Sequence, residues 1–365
     1  MTRCQTERVA LRGIASAVPD RVVSAENASG IQDSEIAKII ANTGIAQRHV
    51  SPSSICSSDL CQAAAEQLLE ELNWPRESVD ALIFTSQTPD HVLPATSCLL
   101  QARLGLPKHC AAFDINLGCS GYVYGLWVAS RLINGSGGPR RVLLLAGDTI
   151  SKLASPRDRT TMFLFGDAGT ATALEFADDA DRMTFVLGTD GTGKDQLVVP
   201  AGGFRQPRDR TTSIRTEREN GNFRSDEELY MNGAEVFTFT LREVPKLIES
   251  VVSDAGWSLE EVDHLVMHQA SGFILQHITK RLRIPRENWV HALEQYGNTS
   301  CASIPLAISQ TLRDRMSQMS ARVMLAGFGV GFSWAAAALR LGPAVLPPVI
   351  RVSERLADAP LRRAA

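Results

Sequence analysis

Several features are missing from this chain, and each absence narrows what it can be. No stretch approaches the roughly 18 uninterrupted apolar residues of a membrane span, so no membrane-spanning helix is expected. The first residues, Met1 to Arg8, are charged and no apolar run follows them. A secretory signal is therefore not expected, and the cytoplasm is the default compartment. The seven cysteines (Cys4, Cys56, Cys61, Cys98, Cys110, Cys119 and Cys301) are an odd number without Cys-x-x-Cys spacing. That argues against a disulfide framework and a zinc site, and free thiols fit a reducing compartment. Neither sign of charge dominates: 37 Lys and Arg face 40 Asp and Glu, a formal net charge of −3. Nothing in that balance argues for nucleic acid or a membrane surface as partner.

What is present is ordinary globular composition, 44% hydrophobic and 21% charged over 365 residues, enough for one large core or two fused domains. Short apolar runs alternate with helical patterns. Strands are expected at Ala81–Thr85, Cys110–Ile115, Arg141–Ala146, Gly169–Glu175, His264–Met267, Arg322–Ala326 and Ser333–Leu339. Helices are expected at Thr96–Leu104, Tyr122–Ile133, Val236–Ala255, Phe273–Leu282 and Ile304–Leu312. The alternation predicts an α/β fold with helices covering buried sheets. One unit recurs, an acidic loop, an Asp and an apolar strand, at Glu77–Ile83 and again at Glu260–Val266. It suggests an internal duplication with halves 1–180 and 181–341, divided at the polar stretch Asp178–Met183. Gly202–Asn222, rich in Arg, Gly and Thr, reads as a long surface loop with substrate contact as the lesser option. The Pro-containing segment 342–365 reads as a loosely attached tail.

Four local motifs carry chemistry together. Cys119 lies in Asn116-Leu117-Gly118-Cys119-Ser120-Gly121, where a strand turns into a helix. The positive end of the helix dipole is expected there to favour thiolate. His268 ends an apolar strand in His268-Gln269-Ala270, and Asn298 sits in a turn, Tyr296-Gly297-Asn298-Thr299-Ser300. Gly327-Phe328-Gly329-Val330-Gly331 links two apolar strands. Singly, these read as a packing cysteine, a core histidine, a helix cap and a hairpin. The glycine turn does not match G-x-x-x-x-G-K-[ST], which rejects a nucleotide P-loop. Jointly they supply a nucleophile, two neutral donors and backbone N–H groups, the parts acyl transfer needs.

In this order and spacing, with Thr43-Gly44-Ile45, Arg157-Asp158-Arg159-Thr160 and Phe165-Gly166-Asp167-Ala168-Gly169-Thr170, the motifs resemble the β-ketoacyl-acyl-carrier-protein synthase III family of the thiolase superfamily, from about Arg12 to Leu341. The resemblance implies a five-layered α-β-α-β-α fold of two similar halves, usually a homodimer. It implies that Cys119 takes an acyl group from a thioester, with its own N–H and that of Val330 as the oxyanion hole. His268 and Asn298 would hold the thioester carbonyl of a malonyl group on acyl carrier protein, and loss of CO₂ would give the enolate that attacks acyl-Cys119. Phe328 would exclude water beside the donors. The substrates are thioesters of CoA or phosphopantetheine, and neither metal nor separate cofactor is implied.

The chain departs from the familiar pattern around the entrance. Lys38 and Asn42 stand where a Trp and an Arg sandwich the CoA adenine, and a Lys cannot stack. Ser271 and Phe273 replace the Asn and Arg of His-Gln-Ala-Asn-x-Arg, and Val330 replaces a Gly. Leu93 stands where a Phe from the partner subunit walls the acyl pocket, while Arg159 at the entrance is retained. Lys280 and Arg281 lie on the helix that meets the carrier protein, or simply form a solvated face. An atypical acyl-CoA or a carrier-bound donor, in a specialised pathway, fits these differences. Two other readings stand beside condensation: transfer of the acyl group from Cys119 to a hydroxyl or amine, and a non-catalytic partner in a condensing heterodimer. A thiolase would need a second active-site Cys near Gly329, and a plant-type polyketide synthase a Pro at Val330.

Overall fold

In the computed structural model, residues 1–27, 32–134 and 137–354 are described. Two mixed sheets and three helical layers alternate. The first sheet runs in the order Ile350–Val352, Val9–Pro19, Ala168–Phe176, Arg141–Asp148, Ala81–Thr85 and Ala111–Ile115. The second runs Thr2–Thr6, Met183–Thr189, Ser333–Leu341, Ala321–Gly329 and His264–Met267. The Ser57–Glu71 helix covers the outer face of the first sheet, through Leu60, Ala64 and Leu68 against Leu82, Phe84 and Leu145. On the outer face of the second, Leu247, Ile248 and Val251 of Gly233–Asp254 meet Leu265, Met324 and Ala336. Between the sheets lie the helices Gly121–Ile133 and Ser303–Thr311, whose Tyr122, Leu126, Ile304 and Ile308 share one core with Leu144 and Leu325.

The middle helix shows why the layers hold. In Gly121–Ile133 the buried residues Tyr122, Val123, Leu126, Ala129, Ser130 and Ile133 recur at helical spacing. Each large apolar side chain removed from water contributes about 1.5–3 kcal/mol. A single polar face could not be buried by sheets on both sides.

The echo between the halves has a structural counterpart. Asp80 accepts backbone N–H bonds from Arg140 and Arg141, at 2.7 and 3.0 Å, and Asp263 accepts one from Arg322 at 2.8 Å. In each case the Asp leads a strand into parallel pairing with its neighbour, Ala81–Thr85 with 142–146 and His264–Met267 with 323–326. The termini cross between the sheets, however: Thr2–Thr6 pairs with Met183–Thr189, and Ile350–Val352 with Val9–Pro19.

That crossing corrects the expected loose tail. Residues 342–354 are held against the first sheet, with Ala344, Leu346 and Val352 buried. The Ile14 N–H donates to the Val345 carbonyl at 2.9 Å, and the Val345 N–H to Arg12 at 2.9 Å. A proline-containing segment can still complete a sheet edge, because only its non-proline residues need to donate. Residues 355–365 of the expected tail lie outside the described residues. Within the expected loop, 202–211 is exposed, but Thr216–Glu217 pairs with Phe223–Arg224. At the base of the excursion Leu197–Val198 pairs with Tyr230–Met231. No helix of the described residues is long and apolar enough to cross a membrane.

Candidate active site

Cys119 lies in a tight turn ahead of the Gly121–Ile133 helix, closed by the Gly121 N–H donating to the Gly118 carbonyl at 2.7 Å. The glycine turn of the second sheet is pressed against it. A Cβ on Gly327 would stand 2.8 Å from the Ser120 Cα, and one on Gly329 2.7 Å from the Cys119 Sγ. Only the absence of side chains lets these backbones approach so closely. The contact is clipped by hydroxyls: Ser120 and Ser333 share a 2.6 Å hydrogen bond, and Ser333 donates to the Val330 carbonyl at 3.0 Å.

The thiol differs from its expected state. Burial pushes Cys119 up to about 11, and the Asp148 charge adds to the rise. Hydrogen bonds from the Val330 and Cys119 backbone N–H groups and from the Ser300 side chain draw it partly back. A helix dipole is worth about 0.3–1 kcal/mol, less than one pKa unit, so burial wins. The thiolate favoured on sequence grounds is not the resting state.

His268 continues the His264–Met267 strand, its N–H donating to the Ala326 carbonyl at 2.7 Å. Its Nδ1 shares a 2.7 Å hydrogen bond with Ser303 Oγ, and the Phe328 ring stands edge-on at 5.7 Å. Burial lowers the imidazole to about 3, against a smaller upward pull from the Ser300 backbone, so it is neutral at physiological pH. Asn298 is anchored by its N–H to the Leu164 carbonyl at 2.9 Å and by its carbonyl, which accepts from Gly166 at 3.0 Å. Its Oδ1 accepts the Ser300 N–H at 3.0 Å, which leaves Nδ2 to the cavity side with one long contact, 3.4 Å, to the Ala270 carbonyl.

Cys119, His268, Asn298 and Phe328 line one cavity of about 590 Å³. Its apolar wall includes Ile39, Phe163, Leu197, Val236, Phe237 and Phe273. Arg159, Asn42 and Ser271 line it too, Arg159 being tied by its backbone N–H to Asn222 Oδ1 at 3.0 Å. Ser271 is also the N-cap of Gly272–Leu282, accepting from the Ile274 N–H at 3.3 Å.

Other expected site residues lie away from the cavity. Lys38 is exposed and does not line the cavity that Ile39 and Asn42 line. Leu93 is 83% exposed and lines no part of this chain's cavity. Lys280 and Arg281 are exposed in the last turn of Gly272–Leu282, and Arg281 donates to the Leu241 carbonyl at 2.8 Å. Sequence reasoning missed Ser300 and Ser303, which bond Cys119 and the His268 imidazole. Serines at the start of a helix look like capping residues, and no spacing rule ties them to residues that far away in the chain.

Two sheets enclosing a helical layer, with the cavity opening onto Cys119 between them, define an enzyme of the thiolase fold. A family model described as 3-oxoacyl-[acyl-carrier-protein (ACP)] synthase III matches residues 113–191, and one for the C-terminal part of that enzyme matches 252–341. The chain is 36% identical over 345 residues to a beta-ketoacyl-[acyl-carrier-protein] synthase III of Streptomyces coelicolor, covering 94% of this chain and 99% of the relative. It belongs to the β-ketoacyl-acyl-carrier-protein synthase III family. The solved 3-oxoacyl-(acyl-carrier protein) synthase of Burkholderia xenovorans is 42% identical with a TM-score of 0.90, covering 96% of this chain and 99% of that one. The priming β-ketosynthase of the R1128 polyketide pathway is 25% identical with a TM-score of 0.78, covering 94% and 98%.

Proposed function

We propose that this enzyme joins an acyl thioester to malonyl-acyl-carrier-protein by decarboxylative Claisen condensation through acyl-Cys119. The observation that carries this reading is the meeting of a buried thiol with two neutral, anchored side chains, His268 and Asn298, on one apolar cavity. In the first half-reaction the Cys119 sulfur bonds to the acyl carbon and the carbon–sulfur bond of the donor breaks. The thiol proton leaves with the released CoA or pantetheine thiol. The N–H groups of Cys119 and Val330, which converge on the sulfur, face the oxyanion of that step.

In the second half-reaction the bond between the malonyl carboxylate and its α-carbon breaks, CO₂ departs, and the electron pair moves to the thioester oxygen. His268 Nε2–H and Asn298 Nδ2–H donate to that oxygen. Neutral donors suit the task, because they stabilise the developing charge without surrendering a proton to it. The enolate carbon then bonds to the acyl carbon, and Cys119 leaves as thiolate and regains a proton from solvent. Phe328, edge-on to His268, keeps water from quenching the enolate.

The partners proposed are acyl carrier protein, met by the face carrying Lys280 and Arg281, and a second copy of the chain. Homodimerisation is supported by the exposed segment His91–Ala95, in which Val92 and Leu93 are 76% and 83% exposed. With Lys38 off the cavity and Asn42 at its rim, no aromatic clamp for adenine is present at those positions, which supports an atypical acyl-CoA or a carrier-bound donor. Intact-mass spectrometry after incubation with a panel of CoA and carrier-bound thioesters reads the donor directly. Acyl capture lost in Cys119→Ala, followed by CO₂ release and a β-ketoacyl product with malonyl-acyl-carrier-protein, is the expected outcome. An ester or amide product without CO₂ release overturns condensation, and exclusive use of acetyl-CoA overturns the donor assignment.

A further inference from the structure

Condensation as proposed above needs a hydrogen on the nitrogen of His268 that faces the substrate, and that depends on a residue outside the Cys–His–Asn set. We infer that Ser303 is a positioning residue that holds His268 as the Nε2–H tautomer by donating its hydroxyl proton to Nδ1. The hydrogen-bond geometry around Ser303 Oγ leads to this assignment. That oxygen is 2.7 Å from His268 Nδ1 and 3.4 Å from the Gln269 backbone nitrogen. A backbone N–H can only donate, so Oγ is the acceptor of the Gln269 bond. The hydroxyl must then place its own proton elsewhere, and Ser303 is 2% exposed, so water is not the recipient. Among the described hydrogen bonds, Nδ1 is the one acceptor within its reach. The opposite tautomer would aim two N–H donors at one oxygen and leave a buried hydroxyl proton without a partner, which is unfavourable.

The surroundings keep this arrangement from relaxing. Ser303 opens the Ser303–Thr311 helix in the layer between the sheets, and Ile304, Ala307 and Ile308 of that helix are buried. Gln269, 2% exposed, is locked by its side chain, which donates to the Met267 carbonyl at 2.7 Å and accepts the Ala292 N–H at 2.8 Å. The imidazole is neutral, so its single ring proton has only two places to sit, and the partner of one nitrogen decides the other. Asn298 is treated alike by the same stretch of chain. The Ser300 N–H occupies its oxygen and so turns its amide nitrogen outward. Residues 298–303 thus set the donor face of both groups before substrate arrives.

The test compares Ser303→Ala, Ser303→Thr and His268→Ala in the full-length enzyme, with ring-¹⁵N-labelled histidine. In the wild type, the His268 ¹⁵N shifts are expected to report Nε2–H. Ser303→Ala is expected to lose that preference and to lower kcat for condensation about 10- to 100-fold, the usual size of lost support to a functional side chain. KM and the rate of Cys119 acylation should stay within about twofold, which shows that the fold is intact. Ser303→Thr, which keeps the hydroxyl, should restore both kcat and tautomer. Should Ser303→Ala fail to fold, Ser303→Gly, which likewise carries no side-chain donor, takes its place with the same expectation. An Nδ1–H signal in the wild type, or unchanged kcat and tautomer in the variant lacking the hydroxyl, overturns the assignment. If His268→Ala itself leaves condensation unaffected, the reading of the site fails rather than the role of Ser303.

Discussion

At Cys119 the proposed chemistry sets two demands against each other: a nucleophile must lose its proton, yet an enolate escapes protonation only where water is scarce. The site favours dryness, and the thiol is pushed up to about 11 as a result. The sign is that of a buried acid: the neutral form is favoured in the folded protein, and thiolate grows only as pH rises toward that value. At pH 7 the thiolate fraction of the free enzyme is on the order of one in 10⁴, from the four-unit gap between pH and pKa. The alkylation rate of Cys119 by iodoacetamide, followed by peptide mass spectrometry, should therefore climb about tenfold per pH unit from 7 to 10. A plateau near pH 8 would show that the turn stabilises thiolate after all. Deprotonation then has to accompany the arrival of the acyl carbonyl, which brings the charge within reach of the Val330 and Cys119 N–H groups.

The elements that carry the site were legible to different degrees. The Ala81–Thr85 and His264–Met267 strands follow the sequence pattern end to end, and Thr96–Arg103, Gly121–Ile133 and Ser303–Thr311 match expected helices within a residue or so. These segments have strong apolar runs or a clear stripe. Val9–Pro19 escaped because Gly13, Ala15, Ser16 and Ala17 give it little hydrophobic contrast, although it lies in mid-sheet. The Ser57–Glu71 helix escaped because small or polar Ser57, Ser58, Ala64 and Ala65 share its buried face with Leu60, Leu68 and Leu69 and dilute the apolar stripe. The motifs themselves were readable since glycine and polar residues punctuate them. What the sequence could not convey was distance: that Gly329 touches the sulfur of Cys119, or that Ser303 meets His268. Gly329→Ala tests the first of these contacts. Its methyl would start 2.7 Å from both Cβ and Sγ of Cys119, whereas a Cβ at Gly203 meets nothing within 4 Å. Crowding of this kind costs about 1–3 kcal/mol, and the nucleophile is the nearest atom to yield. Gly329→Ala should thus slow Cys119 acylation about 100-fold or more, while Gly203→Ala matches the wild type. Equal acylation rates in the two variants would refute the close-approach account of the turn.

On the scale of the whole molecule the two sheets are not independent bodies. The N-terminal strand Thr2–Thr6 is given to the second sheet and the late strand Ile350–Val352 to the first, while one core joins both across the middle helices. Cys119 comes from the first sheet's side of that core, and His268, Asn298 and the glycine turn from later in the chain, so the cavity exists only when the two are assembled. Among the sheet edges, that of Ala111–Ile115 bears on assembly. Ala111–Ile115 bonds to Ala81–Thr85 on one side, has no strand on the other among the described residues, and carries half-buried Phe113 and Ile115. An open, partly apolar edge is a template for another strand, and soluble proteins rarely leave one uncovered. Pairing of this edge with its counterpart in a second copy would satisfy it with a two-fold axis, the commonest symmetry of homo-oligomers. The exposed Val92 and Leu93 would gain burial in such an assembly. Analytical ultracentrifugation at micromolar concentration is thus expected to give twice the chain mass. Phe113→Glu with Ile115→Glu should shift it to the single-chain mass, because like charges would face each other across the new pair. If Leu93 of one copy walls the acyl pocket of the other, the same variant should also lose acylation of Cys119 by long-chain donors ahead of short ones. A wild-type protein that sediments as one chain, or a charged-edge variant that still sediments as two, would place the subunit contact elsewhere or remove it.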